Sequence, residues 1–276
     1  LMSGSMLLLL SLSARTLMSG SMLQTFIPVF HVDKVYGKGV FYACNVANTS
    51  IKYAGVGMKR IAEKRLSQWL ENTRRKPMVI RGARQVGKST LVRQFASENN
   101  LILHEINLER HPKLTDVFAS HDTGRILKEL EYVCRKGPIK NRGDLVFLDE
   151  IQSVPVAIQT LRYFYEDCPD LPVIAAGSLL EFSLSKHSYS MPVGRIEYLF
   201  LGTVTFKETL SALGENDLLD LVTGYALPDI FPVAAHERLL EILRIYFLTG
   251  GMPEAVQVYI DTHDLDKVSD VHASVT

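Results

Sequence analysis

Met78-Val79-Ile80-Arg81-Gly82-Ala83-Arg84-Gln85-Val86-Gly87-Lys88-Ser89-Thr90 is the stretch that decides the fold. Met78–Ile80 reads as a short buried strand after Pro77, and Leu91–Asn99 carries a helical pattern. Strand, glycine loop, helix is the order a phosphate cradle requires. Glycines let the backbone turn tightly enough for successive N–H groups to face one anion. The helix that follows adds the positive end of its dipole. Gly82, Ala83, Arg84, Gln85, Val86, Gly87, Lys88, Ser89 and Thr90 are therefore the candidate nucleotide-binding residues. Lys88 is placed to reach the β- and γ-phosphates, and the Ser89 hydroxyl to ligate Mg²⁺.

About sixty residues further on, Leu145-Val146-Phe147-Leu148 is a continuous apolar run, the mark of a strand covered on both faces. It ends in Asp149-Glu150. At the C-terminal edge of a parallel strand, such acids enter the crevice where nucleotides bind. Asp149 is the second candidate Mg²⁺ ligand, and Glu150 the residue that orients and polarises an attacking water. An acid directly after the metal acid favours hydrolysis over binding alone.

The rest of the core alternates in the same sense. Leu101–Leu108 and Pro172–Ala176 read as strands, Thr123–Arg135 and Val156–Asp167 as helices. The alternation implies an α/β fold with a parallel sheet sandwiched by helices. Gly177-Ser178 ends the last of these strands. Ser178 either sits near a γ-phosphate or caps a helix over Leu179–Leu184. Arg195, after a Pro/Gly loop and before the apolar stretch Tyr198–Leu201, is either an arginine finger, for its own site or a neighbour's, or one half of a surface salt bridge. From Thr205 the character turns helical: Phe206–Leu213, Leu218–Tyr225, His236–Leu248 and, after Gly250-Gly251-Met252-Pro253-Glu254, a last helix to Tyr259. This reads as a small helical lid, with the polar tail Asp261–Thr276 fading out.

Composition bounds the function. The chain has 276 residues, 30 Lys+Arg and 30 Asp+Glu. A net charge of zero excludes a strongly basic nucleic-acid binder as a whole-chain reading. Three cysteines exclude a disulfide scaffold and point to a reducing, cytoplasmic setting. Residues 1–57 hold five charged residues, and Leu-Met-Ser-Gly-Ser-Met occurs there twice, at Leu1–Met6 and Leu17–Met22. The apolar run at Met6–Leu10 is too short to span a membrane and lacks a basic flank, so no membrane association is expected. The expectation is that 1–57 is a leader of non-native or disordered character, with the working protein starting near Met58; a membrane-targeting leader is the alternative. The basic residues Lys59, Arg60, Lys64, Arg65, Arg74, Arg75 and Lys76 are read as a solvated helix face rather than a nucleic-acid contact. Tyr163-Phe164-Tyr165 is read as core packing, and His104, His111, His121 and His187 lack metal-ligand spacing.

Arg81–Ser89, Glu105–Glu109, Phe147–Gln152, Ala175–Leu180 and Met191–Arg195 together resemble the bacterial and archaeal AAA-type ATPases that carry a C-terminal domain of unknown function. The resemblance covers roughly Lys59 to Tyr259, with the motifs in family order. It implies a P-loop NTPase fold of the additional-strand, catalytic-glutamate class. Gly82–Thr90 would be the Walker A loop, Asp149-Glu150 the Walker B acids, Ser178 a sensor, and Arg195 part of a glycine-arginine motif. It implies ATP and Mg²⁺ as ligands, and Glu150, Lys88, Arg195 and Ser178 as the catalytic set. A homo-oligomer and a protein client are left open, and nucleic acid is unsupported. Members usually begin near the equivalent of Met58 and run well past residue 276. The division expected is thus a leader at 1–57, an ATPase core at 58–204, and a helical lid with the start of a truncated C-terminal region at 205–276. The activity expected is Mg²⁺-dependent ATP hydrolysis, with a nucleotide-dependent switch or scaffold of little turnover as the alternative. A GTPase is disfavoured because there is no Asn-Lys-x-Asp motif.

Overall fold

The structure, a computed structural model, describes residues 58–140, 142–178, 192, 194–227 and 229–275. The leader 1–57, the helix expected at Leu179–Leu184, and Met191 and Val193 of the glycine-arginine stretch lie outside the described residues.

The first half of the chain alternates helix and strand in the order α1 (Ala62–Glu71), β1 (Met78–Arg81), α2 (Lys88–Glu98), β2 (Ile102–Asn107), α3 (Leu114–Ala119) and α4 (Thr123–Cys134). It continues with β3 (Asp144–Asp149), α5 (Pro155–Asp167), β4 (Val173–Gly177) and β5 (Glu197–Phe200). Among the described residues the five strands form one parallel sheet in the order β2-β3-β4-β1-β5. β4 therefore lies between β1, which feeds the glycine loop, and β3, which ends in the acid pair. This matches the additional-strand class that the resemblance implied.

Side-chain alternation along the strands builds two cores, one on each face. Val79, Val146, Leu148, Val173 and Ala175 pack with Phe118 of α3, Ile126 and Leu130 of α4, and Leu161 and Phe164 of α5. Met78, Ile80, Leu145, Phe147, Ile174 and Ala176 pack with Leu66 and Trp69 of α1 and with Leu91, Val92 and Phe95 of α2. Full burial of a large aliphatic or aromatic side chain is worth about 1.5–3 kcal/mol relative to exposure. The interior strand β3 is buried at all six positions and is thus firmly anchored. Its two acids need partners there. Asp144 Oδ1 lies 2.7 Å from His104 Nε2, and its Oδ2 accepts from the Lys140 N–H at 2.9 Å. Asp149 belongs to the site.

Helices follow the sheet: α6 (Phe206–Ala212), α7 (Asn216–Gly224), α8 (Val233–Thr249), α9 (Pro253–Thr262) and α10 (Leu265–Val275). The last corrects the expectation of a tail that fades out. α10 packs on α9 and α8, and Val268 is buried. Its polar composition hid it, because a short helix burying a narrow stripe shows few apolar residues. No helix among the described residues is long and apolar enough to cross a membrane.

The basic run also needs correction. Lys59, Lys64 and Arg74 are solvent-facing or partly so, but Arg60 and Arg75 are buried. Arg75 donates to the carbonyls of Leu70, at 3.2 Å, and of Asp170, which ties the turn after α1 to the loop before β4. Of the aromatic triplet only Phe164 is buried in the core; Tyr163 stacks against His121, and Tyr165 lies beside Arg195.

Candidate nucleotide site

β1 is short and fully paired, with β4 on one side and β5 on the other, so the chain leaves it at a fixed point. Gly82 follows at once. A Cβ there would sit 2.2 Å from the Leu201 carbonyl oxygen, so only glycine lets the loop pass β5 this closely. Gln85 and Gly87 adopt left-handed backbone conformations, and Gly87 in that state is the residue from which α2 starts. Val86 turns inward and is buried against the α2 core. The first amides of α2, which have no intrahelical acceptor, open onto the loop.

The loop forms one wall of a cavity of about 740 Å³. Arg84, Gln85, Gly87, Lys88, Ser89 and Thr90 line it from the loop and the start of α2. Met58 and Arg60 line it from the segment before α1, and Glu150 from the tip of β3. Pro253, Glu254 and Gln257 of α9 line it from the C-terminal helices. Such a volume falls within the usual range for small-ligand sites, about 300–1,000 Å³. Gly82 and Ala83 contribute through their backbone: the Lys88 ammonium donates to their carbonyls at 3.1 and 2.7 Å. Burial pushes the Lys88 pKa down, opposed by the carboxylates of Glu150 and then Asp149.

The Ser89 hydroxyl donates to Asp149 Oδ2 at 2.8 Å, across sixty residues of sequence. Asp149 Oδ1 accepts from the Glu150 N–H at 3.1 Å. Burial raises the Asp149 pKa even so, outweighing these two hydrogen bonds, and the neighbouring Glu150 carboxylate raises it further. A desolvated carboxylate beside a hydroxyl is a pair of hard oxygen donors lacking positive charge, the donor set that suits Mg²⁺. Glu150 itself leaves the strand with φ of 50°, a left-handed conformation that is uncommon for a residue with a Cβ. Such strain, about 1–3 kcal/mol, is characteristic of functional positions.

Ser178 follows Gly177, which pairs with Arg81, so it stands level with the start of the loop. Its Oγ is buried and has no hydrogen-bond partner among the described residues. Arg195 lies elsewhere. It precedes β5, whose first residue pairs with Met78 at the start of β1, so it stands at the sheet edge opposite the glycine loop. The two edges are about 13 Å apart along four residues of strand. There Arg195 Nε donates to Glu166 Oε1 at 3.0 Å, and both side chains are largely exposed. Glu197, two residues further on, pairs instead with Arg65.

The architecture, the loop and the acid pair meet one description. Residues 74–210 match the family profile described as an AAA domain. The fold is an AAA-type P-loop fold. Among solved structures, the Walker-type ATPase PABY2304 of Pyrococcus abyssi is similar at 21% identity and a TM-score of 0.46, over 79% of this chain and 72% of that one. PCH-2 of C. elegans is similar at 12% identity and 0.37, over 76% and 62%. Drosophila ORC bound to DNA is similar at 14% and 0.39, over 77% and 65%. No curated protein matches.

The fold depends on residues that sequence reasoning missed. Arg60 was read as solvated, yet its guanidinium sits under the loop. It donates to Glu208 Oε1 at 3.1 Å, to the Val86 carbonyl at 2.9 Å and to the Gly202 carbonyl at 2.8 Å. Glu208 also accepts from the Ile61 N–H at 2.7 Å and closes a capping box with Thr205. One ion pair therefore ties the N-terminal segment, the glycine loop and the first C-terminal helix together. No local pattern distinguishes Arg60 from its basic neighbours. α9 carried a visible signal, the Gly250-Gly251 break followed by Pro253. Its consequence, placing Pro253 within 3.6 Å of a Cβ at Gly87, needed the tertiary structure.

Proposed function

We propose that this protein binds ATP in the cavity at the glycine loop and hydrolyses it with Mg²⁺. The observation that carries the reading is the Ser89–Asp149 hydrogen bond at 2.8 Å, which joins the glycine loop to the strand-tip acids beside Lys88 and Glu150. The loop amides and the first turn of α2 receive the phosphate chain. Lys88 supplies positive charge to the β- and γ-phosphates by exchanging the Gly82 and Ala83 carbonyls for phosphate oxygens. Ser89 and Asp149 would hold Mg²⁺, which when bound neutralises phosphate charge. Glu150 orients a water in line with the γ-phosphorus and accepts its proton as the new O–P bond forms. The bond to the β-phosphate oxygen breaks, and ADP leaves with the electron pair.

Ser178 is assigned the γ-phosphate contact, supported by its partnerless buried hydroxyl beside the loop. Met58 and Pro253 offer apolar surface for a purine ring, and the helices from Thr205 onward act as a lid. Arg195 stands too far from its own chain's loop for a role there in this arrangement, so its finger role is assigned to a neighbouring copy's site. The test is phosphate release by the purified protein. Turnover with ATP and Mg²⁺, abolished by Lys88→Ala and by Glu150→Gln, supports the proposal. Tight ATP binding with negligible release over hours would replace it with a nucleotide-dependent switch. Normal turnover by Lys88→Ala would overturn it.

A further inference from the structure

The residues after the acid pair carry an inference beyond that mechanism. Ile151–Ser153 forms a single 3₁₀ turn, closed by the Ser153 N–H donating to the Glu150 carbonyl at 2.9 Å. Ile151 and Val154 are both fully buried and pin the turn on either side. Gln152, between them, is half-buried and reaches back to Glu150, where its side-chain amide donates to Oε2 of the carboxylate. The orientation of the amide follows from chemistry: with its oxygen turned toward Glu150, two acceptors would face each other at hydrogen-bond range.

We infer that Gln152 is a positioning residue for Glu150, holding one carboxylate oxygen so that the other is presented to the attacking water. The inference rests on the hydrolytic reading of the cavity. Glu150 leaves the strand in a left-handed conformation. A donor on Oε2 restricts its side-chain rotamers and leaves Oε1 as the acceptor for water. The held position is productive rather than inhibitory, because Glu150 lines the cavity while bound to Gln152. Gln152 also keeps its own Oε1 buried without a hydrogen-bond partner among the described residues. A side chain present only for packing would not carry that unpaired acceptor, since an apolar residue of similar size would fill the space without it.

The experiment compares Gln152→Ala, Gln152→Glu and Glu150→Gln, alone and combined, in the full chain. ATP turnover is measured beside the affinity for a fluorescent ATP analogue. Gln152→Ala is expected to lower kcat about tenfold, the loss of an orienting contact within a general-base contribution of about 10²–10⁴. KM and analogue affinity should stay within about twofold, because only the transition state uses the orientation. Gln152→Glu, the same shape with a like charge, should lose more. Gln152→Ala in the Glu150→Gln background should leave the analogue affinity within about twofold of Glu150→Gln alone, since a positioning contact for the carboxylate contributes nothing to ground-state binding. If Glu150→Gln abolishes turnover while both Gln152 variants keep wild-type kcat, the positioning role is wrong and the hydrolytic reading stands. Equal losses in kcat and analogue affinity would likewise overturn it in favour of a purely structural role. If Glu150→Gln leaves turnover intact, the hydrolytic reading itself fails.

Discussion

Replacing Arg60 with methionine keeps most of the side chain's volume and removes its charge and donors. In the folded protein the Arg60 and Glu208 side chains are 8% and 4% exposed, so water cannot substitute for the lost contacts. Breaking a buried ion pair by removing one partner costs about 3–5 kcal/mol. Here the lower end applies, because Glu208 keeps the Ile61 and Thr205 N–H donors and the Thr205 hydroxyl. The carbonyls of Val86 and Gly202 lose their Arg60 donor outright. A loss of about 3 kcal/mol corresponds to a fall in Tm of about 6–12 °C for a folded unit of this size. Thermal unfolding followed by circular dichroism at pH 7.5 checks it, with Glu208→Gln and the double variant completing a cycle. The two residues share one ion pair, so the double variant should be more stable than the summed single losses predict, by at least about 1 kcal/mol. The pH dependence has a definite sign. Burial opposes ionisation of Glu208, but the backbone N–H groups of Thr205 and Ile61, the Arg60 charge and the Thr205 hydroxyl outweigh it and hold its pKa below the ordinary 4.5. Its contribution is therefore present above the unfolded value and lost as pH falls through the folded one. The gap in Tm between wild type and Arg60→Met should narrow as pH falls through the folded value without closing, because the contacts of Arg60 to the Val86 and Gly202 carbonyls do not titrate. A fall in Tm under 2 °C at pH 7.5, or strict additivity in the cycle, would refute the reasoning.

Three further outcomes are expected. Asp149→Asn should raise Tm by about 2 °C without nucleotide while abolishing Mg²⁺-dependent turnover. Burial holds the Asp149 pKa above its unfolded value, so the ionised group destabilises the fold as pH rises through that range; a lower Tm at pH 7.5 would contradict this. Chains carrying Arg195→Ala, inactive alone, should regain turnover when mixed with equally inactive Lys88→Ala chains, since a Lys88→Ala neighbour still supplies the arginine that the otherwise intact site of the Arg195→Ala chain lacks. Failure to complement would remove Arg195 from the neighbouring site. Gly251→Ala should destabilise the protein by at least about 1 kcal/mol in urea unfolding. Gly251 has φ of 65°, and a Cβ would lie 2.6 Å from the Val204 carbonyl, whose own N–H donates to the Gly251 carbonyl at 2.7 Å. A neutral substitution would show that this junction yields easily.

The sequence determined the elements whose information is local. The glycine loop, the apolar run of β3 and the amphipathic α4 each declare themselves within a dozen residues, because backbone permissiveness and side-chain period act at that range. The same holds for Lys88, Ser89, Asp149 and Glu150, each fixed to an element end. Tertiary structure alone decided what depends on neighbours distant in sequence. The contact between Ser89 and Asp149 exists because β4 spaces β1 from β3 by one strand. Arg60 and Arg75 are buried because carbonyls and a carboxylate from remote segments converge on them, and nothing in a basic run marks which guanidinium will find such partners. Arg195 was legible as an arginine on a loop, but only the register of β5 against β1 sends it to the far edge of the sheet. Burial and charge pairing are sums over three-dimensional neighbours, and a one-dimensional pattern carries them only where those neighbours also lie close along the chain.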